Sequence, residues 1–247
     1  MLNEEAFQLT LAARPKLISM ALGDPGELVK RAHDCGSLVM HQVSNVRNAE
    51  EAASRGVDVI VAQGAEAGGF GGFVATLILV PQVVDAVSPI PVVAAGGIAD
   101  GRGLAAALVL GAQGVNVGTR FLASEESPIS EQWKRAILSA RSEDASKVDF
   151  LGALIPQVTG AYKAAPRSLS STFIERVEGH LESFREDPEA VLQEVMTAAQ
   201  EGRMGELIPF AGQTAGAIQQ ILPASEIVRT MMAEAERALR SVRPFSD

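Results

Sequence analysis

Cysteine is nearly missing from this 247-residue sequence, in which Cys35 stands alone. A single thiol followed by Gly36, with no CxxC spacing, forms no disulfide framework and fits a reducing compartment, so Cys35 is read as a packing residue. Aromatic residues reach only 4%, and 21 Lys and Arg face 30 Asp and Glu, for a formal charge of -9. That balance repels a phosphate backbone, and no basic cluster or basic-aromatic stretch offsets it, which argues against a nucleic-acid partner. No apolar run approaches the roughly 18 residues that read as a membrane span. The opening MLNEEAFQ has neither an arginine-rich nor an apolar leader, so the expectation is a cytoplasmic protein without membrane attachment. With 3 His and no HxH, HExxH or carboxylate cluster, no metal site is expected.

What is abundant is hydrophobic residues, at 47%, and glycine, with 23. Five β-rich runs occupy the first half: 17–22, 37–43, 57–62, 91–95 and 114–117. VDVIVA, IPVVAA and GVNV are apolar at nearly every position, as parallel strands covered on both faces are. Helical patterns lie between them. Asp24-Pro25-Gly26-Glu27 reads as an N-cap acid, an N1 proline and an early glutamate, and Ser44-Asn45 precedes a second helix that ends at Arg55-Gly56. The expected architecture is an α/β fold of repeated βα units with a parallel sheet. From Ser127 the pattern turns helical without convincing strands, with helices over 131–140, 169–184, 188–200 and 224–241. In the last, Ile227, Val228, Met231, Met232, Ala235 and Leu239 form one packing stripe. Two regions follow, 1–126 and 127–247, the helical one packed on the α/β one.

Glycines gather directly after strand ends, where ligands bind in parallel α/β folds. The densest run is Gln63-Gly64-Ala65-Glu66-Ala67-Gly68-Gly69-Phe70-Gly71-Gly72, in which small residues let main-chain N–H groups face a ligand. Two further strands end in Gly96-Gly97 and in Asn116-Val117-Gly118-Thr119. Successive glycine-bearing strand ends match the phosphate grip of many (β/α)8 barrels, so a phosphate-bearing cofactor follows. The rival is Gly101-Arg102-Gly103-Leu104-Ala105-Ala106, a G-x-G-x-x-A spacing after a strand. That spacing is weak, and Asp100-Gly101 reads better as a helix start.

QGAEAGG, AAGGIADGRG and NVGTRFLAS together resemble the FMN-dependent nitronate monooxygenases, which share their barrel with flavin-dependent enoyl-acyl-carrier-protein reductases. The resemblance runs from about Lys16 to Phe121 and returns in Phe210-Ala211-Gly212-Gln213-Thr214-Ala215-Gly216. It implies a TIM-barrel-type (β/α)8 fold with FMN at the barrel mouth. Gln63 and Gly68 match flavin-contacting positions, Gly96 and Gly97 the phosphate loop, and Asn116, Val117, Gly118 and Thr119 the phosphate segment of the next strand end. Gln42, at a strand end where some members carry a Lys, is expected from the resemblance to face the cofactor. His41, its neighbour, then points away by strand alternation. Gln213 either closes the pocket from the helical region or makes a helix-end hydrogen bond. His33 and His180 are read as solvated or capping.

Two departures accompany the resemblance. Most members follow EAGG with the histidine that takes the α-proton of a neutral nitroalkane; this chain has Phe70, and no catalytic residue replaces it. Second, the five strands correspond to the family's strands 4 to 8, so the barrel is expected to lack its first three and to be amino-terminally shortened. The implied activity is oxidation of alkyl nitronates with molecular oxygen, an FMN enzyme acting on a small molecule, with a homodimer suggested by family practice. The alternatives are an NAD(P)H-dependent flavin reductase acting on a quinone or enoyl thioester, and a non-catalytic remnant.

Overall fold

A computed structural model describes residues 4–148, 150–151 and 165–242. Its frame is a five-stranded parallel sheet formed by β1 (Leu17–Ala21), β2 (Leu38–Val43), β3 (Val59–Gln63), β5 (Val92–Ala95) and β6 (Gly114–Asn116), in that spatial order. All five lie within a residue or two of the runs read from sequence. Each β-to-β connection passes through a helix: α2 (Gly26–Asp34), α3 (Val46–Ser54), α4 (Thr76–Val87) and α5 (Gly101–Val109). The starts of α3 and α5 are chemically specified, because the Asn45 side chain accepts from the Asn48 N–H and the Asp100 carboxylate accepts from the N–H groups of Arg102 and Gly103. Helix α2 begins one position later than its sequence signal. Pro25 is the cap residue there, and the Asp24 carboxylate accepts from the Gly26 N–H at 2.9 Å.

Period-2 alternation divides the sheet into two unlike faces. Ile18, Val39, Ile60, Ala62, Val92 and Ala94 face the helices and pack with Val29, Ala32, Ala49, Ala52, Leu79 and Val83 in the main core. Cys35, the α2 C-cap, packs against that core, as its small apolar character leads one to expect. The opposite face carries Leu17 and Leu38, directly paired across β1 and β2 and 41% and 51% exposed. Strands β1 and β6 are the two edges of the sheet.

The second half departs from its all-helical expectation. Strands β7 (Ala145–Lys147) and β8 (Ala165–Leu169) join β4 (Gly69–Gly71) in a small antiparallel sheet ordered β4-β8-β7. Their sequences, Ala-Ser-Lys and Ala-Pro-Arg-Ser-Leu, hide them. The former has no β-branched residue, and a proline normally marks an edge strand, whereas β8 is central and buried at every position. Because Leu169 belongs to β8, the expected helix over 169–184 is two pieces, α8 (Thr172–Glu178) and α9 (Leu181–Glu186), broken at Gly179-His180. Helices α7 (Glu131–Ser139), α10 (Pro188–Gln200) and α12 (Ala224–Ser241) match their sequence patterns, and α11 (Met204–Leu207) is a single short turn.

A further core joins Phe150, Phe173, Phe184 and Ile208, with the Phe150 ring edge-on to Phe173 at 6.0 Å and to Phe184 at 5.6 Å. Helix α12 lies across α5, and Gly101 makes the crossing possible. A Cβ there would come within 2.3 Å of Glu234 Cβ and 2.4 Å of the Met231 carbonyl oxygen. The single packing stripe read on α12 is narrower than expected: Ile227, Met231 and Ala235 are buried, while Val228, Met232 and Leu239 are exposed. One residue per turn suffices where a glycine lets two helix backbones approach closely.

Candidate active site

The sheet register carries Gln42, Gln63, Ala95 and Asn116 onto one face at the carboxyl ends of four adjacent strands. Gln42 pairs with Val61, two positions before Gln63; Gln63 pairs with Ala95, and Ala95 with Asn116. These four line a cavity of about 350 Å³, within the usual range for small-molecule sites. The glycine loops complete its wall: Ala67 to Phe70, Gly96 to Ile98, and Val117 to Thr119. Leu122 borders it as well, and Phe210, Gly212 and Thr214 line it from the second half of the chain. Among the described residues, the side-chain amides of Gln42, Gln63 and Asn116 have no hydrogen-bond partner. Polar groups left in this state at a cavity wall are available to a ligand or to water.

Of the candidate ligand-binding residues, the structure brings together Gln42, Gln63, Gly68, Gly96, Gly97, Asn116, Val117, Gly118 and Thr119. Gln213 is not on the wall. It begins a short 3-10 turn between the lining residues Gly212 and Thr214, and its main-chain N–H donates to the Glu66 carbonyl at 2.9 Å. This segment is therefore tied by its backbone, and neither role foreseen for the Gln213 side chain is the tie. His41 lies on the helix-covered face of β2, buried to 3% exposure, with Nδ1 unpartnered. Its burial holds the imidazole below the ordinary histidine range, outweighing the charge of Asp24. His33 pairs with Asp58 at 2.8 Å, and His180 Nδ1 lies 2.9 Å from the Arg176 carbonyl.

Several site residues hold the loops in place as well as bordering the cavity. Thr119 Oγ1 accepts a hydrogen bond from the Gly212 N–H at 2.9 Å in a buried position. Gly68 lies so close to Ala211-Gly212 that a Cβ would be 2.5 Å from both the Ala211 carbonyl carbon and the Gly212 nitrogen. Its smallness serves this backbone contact. Gly118 has nothing within 4 Å of the place a Cβ would take, so the strand end there faces open space. Gly96 and Gly97 have φ of +88° and +74°, which L side chains disfavour. The Glu66 carboxylate accepts from the Thr76 N–H and hydroxyl at the start of α4, which makes it a helix cap rather than a free polar group.

Phe70 stands on β4 at the cavity wall, its ring 6.2 Å from that of Phe210 and tilted by 45°. Nothing in this pair can accept a proton. The rival glycine spacing at 101–106 fails as an anion site. The first N–H groups of α5 are taken by carboxylates, Glu234 accepting from Gly101 at 3.1 Å and Asp100 from Arg102 and Gly103. An anion would meet two negative charges there.

Two cations near the site were invisible in sequence. Lys147 on β7 donates to the carbonyls of Gly71, Gly72 and Ala165, each at 2.9 Å. Arg167 on β8 donates to Ala65 and Ala145. Burial, with Arg167 nearby, pulls the Lys147 ammonium down to about 8. Only the pairing of β4 with β8, across nearly 100 positions, and of β8 with β7 brings them up to the loop that borders the cavity. No local motif signals it.

A parallel βα sheet with a glycine-lined cavity at its strand ends defines a TIM-barrel-type α/β protein with a ligand site in that fold's usual place. The family is equally clear: the nitronate monooxygenase profile matches residues 4–234, and the chain belongs to that family of oxidoreductases. A Mycobacterium tuberculosis protein named as a monooxygenase is 53% identical over 130 residues, covering 52% of this chain and 35% of its own length. A Rhodococcus jostii dehydrogenase named for a hydroxy-methyl-oxo-octahydroindene-carboxyl-CoA substrate is 44% identical over 146 residues, covering 58% of this chain and 41% of its own. FabK from Thermotoga maritima superposes with a TM-score of 0.83 at 29% identity, over 96% of this chain and 73% of that one. The chain thus matches well under half the length of these two curated relatives.

Proposed function

We propose that the cavity takes FMN and that the chain oxidises alkyl nitronates with molecular oxygen. What supports the cofactor is the wall itself: open space at Gly118, main-chain turns at Gly96 and Gly97, and unpartnered amides on Gln42, Gln63 and Asn116. Gly96, Gly97 and the segment Asn116-Val117-Gly118-Thr119 would hold the phosphate, and Gln42, Gln63 and Gly68 would border the ring system. When bound, the flavin supplies the redox chemistry that relays electrons from the substrate to oxygen. The protein's part is to bind, orient and exclude water.

The observation that carries the substrate reading is Phe70 packed on Phe210, at the position where the sequence resemblance implies the family's proton-accepting histidine. A nitronate has already lost its α-proton and needs no base, whereas a neutral nitroalkane does. Loss of a general base typically costs about 10²–10⁴-fold. Oxygen uptake by the FMN-loaded chain should therefore be readily measured with ethylnitronate and lower by about that factor with nitroethane. Equal turnover of the two would overturn this reading.

A second reading is favoured by the CoA-substrate dehydrogenase and FabK among its relatives. In it a reduced nicotinamide feeds the flavin, and an enoyl thioester or quinone is the acceptor. Anaerobic mixing with NADH in a stopped-flow spectrometer separates the two, since rapid bleaching of the flavin belongs to the second alone.

A further inference from the structure

We infer that Lys147 and Arg167 form a partly buried cationic backing to the cavity that makes it selective for an anionic substrate over its neutral isostere, an inference that rests on the cavity being the substrate site. Both side chains are bonded to the loop that carries β4, part of the cavity wall, Lys147 to the Gly71 and Gly72 carbonyls and Arg167 to that of Ala65. Arg167 is the register partner of Gly69, and Lys147 is the register partner of Arg167 on the far strand. A Cβ placed on Gly71 would sit 3.1 Å from Gln63 Oε1 and 3.7 Å from Lys147 Nζ, so the ammonium approaches the same point as a cavity-lining amide.

Among the described residues, no carboxylate is hydrogen-bonded to either cation. Lys147 touches three carbonyl oxygens, which satisfy its protons without supplying a countercharge. Arg167, 9% exposed, likewise donates only to carbonyls. Among the described residues, Glu66 is the carboxylate that acts on Arg167, and it is committed to Thr76 at the start of α4. Among the described residues, two positive charges against one negative leave a net positive field, and partial burial keeps it from being screened as a surface charge is. The ring of Phe73, 5.2 Å from Lys147 Nζ, adds contact but no charge.

An anion entering the cavity meets that field without forming a new ion pair. A nitronate and a carboxylate share the planar two-oxygen anion, so propionate and its neutral isostere propionamide are suitable probes. Ligand-observed NMR titrations of each, on the chain with and without FMN, read the preference independently of turnover. Propionate should bind about tenfold or more tightly than propionamide, the scale of one charge interaction across a few ångströms of protein. Lys147→Met should bring the ratio several-fold towards unity, and Lys147→Arg should restore it. Raising the pH through about 8, where Lys147 loses its proton, should erase part of the preference in the wild type and leave Lys147→Met unchanged. A merely structural clamp moves both ligands together. A ratio near one in the wild type, or one unaltered by Lys147→Met, overturns the inference. Failure to bind FMN with the preference intact would count against the proposed cofactor alone.

Discussion

At the scale of single residues, alternation along β2 does much of the sorting. The same Cα geometry that turns Gln42 to the cavity sends His41 to the helix side, where its Nδ1 has no partner. Because burial lowers the His41 pKa, the unfolded chain binds its proton at a higher pH than the folded one does. Stability is then undiminished above the unfolded value of about 6.5 and falls as the pH drops below it, until the folded imidazole also titrates. Denaturant midpoints measured between neutral and mildly acidic pH should fall less steeply for His41→Leu than for the wild type. Parallel curves would show that another group governs the acid limb. Gln42 and the turn glycines Gly96 and Gly97 were readable from sequence as cavity-wall residues, since a strand end and a left-handed turn are local properties. The Thr119 tie to Gly212 was not, because its partner lies 93 residues away.

Elements meet where small residues allow backbones to touch. At the α5–α12 crossing, Gly101 packs under Met231 and Glu234, and the Glu234 carboxylate accepts from the Gly101 N–H. Gly101→Ala should force the two helices apart and destabilise the fold by about 1–3 kcal/mol, the usual cost of overpacking. Its melting temperature should drop accordingly, and an unchanged value would mean that α12 shifts freely. The five parallel strands and the helices over 188–200 and 224–241 follow from hydrophobic period and capping residues, so they were legible in sequence. Strands β7 and β8 were not. Ala-Pro-Arg-Ser-Leu becomes a strand because β4, nearly 100 positions earlier, offers a hydrogen-bonding edge, and Ala-Ser-Lys because β8 then offers its other edge.

Across the whole molecule, the main sheet ends in two edges, β1 and β6, and one of its faces carries the exposed pair Leu17 and Leu38. Unpaired strand edges beside apolar surface favour association with other chains. Sedimentation velocity on this chain should therefore give a weight-average coefficient that rises with concentration, and Leu38→Lys should weaken the rise. A concentration-independent monomer would show that this surface is tolerated in water. The acidic charge of -9 opposes such contacts, so added salt should strengthen them.

The amino-acid sequence by itself determined the parallel βα frame, the order of its strands' glycine-rich ends and the position of Phe70, because each depends on residues close together in the chain. Tertiary structure alone decided that Phe70 packs on Phe210, that Gln213 is anchored by its backbone and that Lys147 and Arg167 reach the loop that borders the cavity. Those arrangements join segments some 80 to 150 positions apart, except for the Lys147–Arg167 pairing across β7 and β8. The physical reason is that periodicity and capping act over a few residues, whereas burial and electrostatic fields depend on which distant surfaces the folded chain presses together.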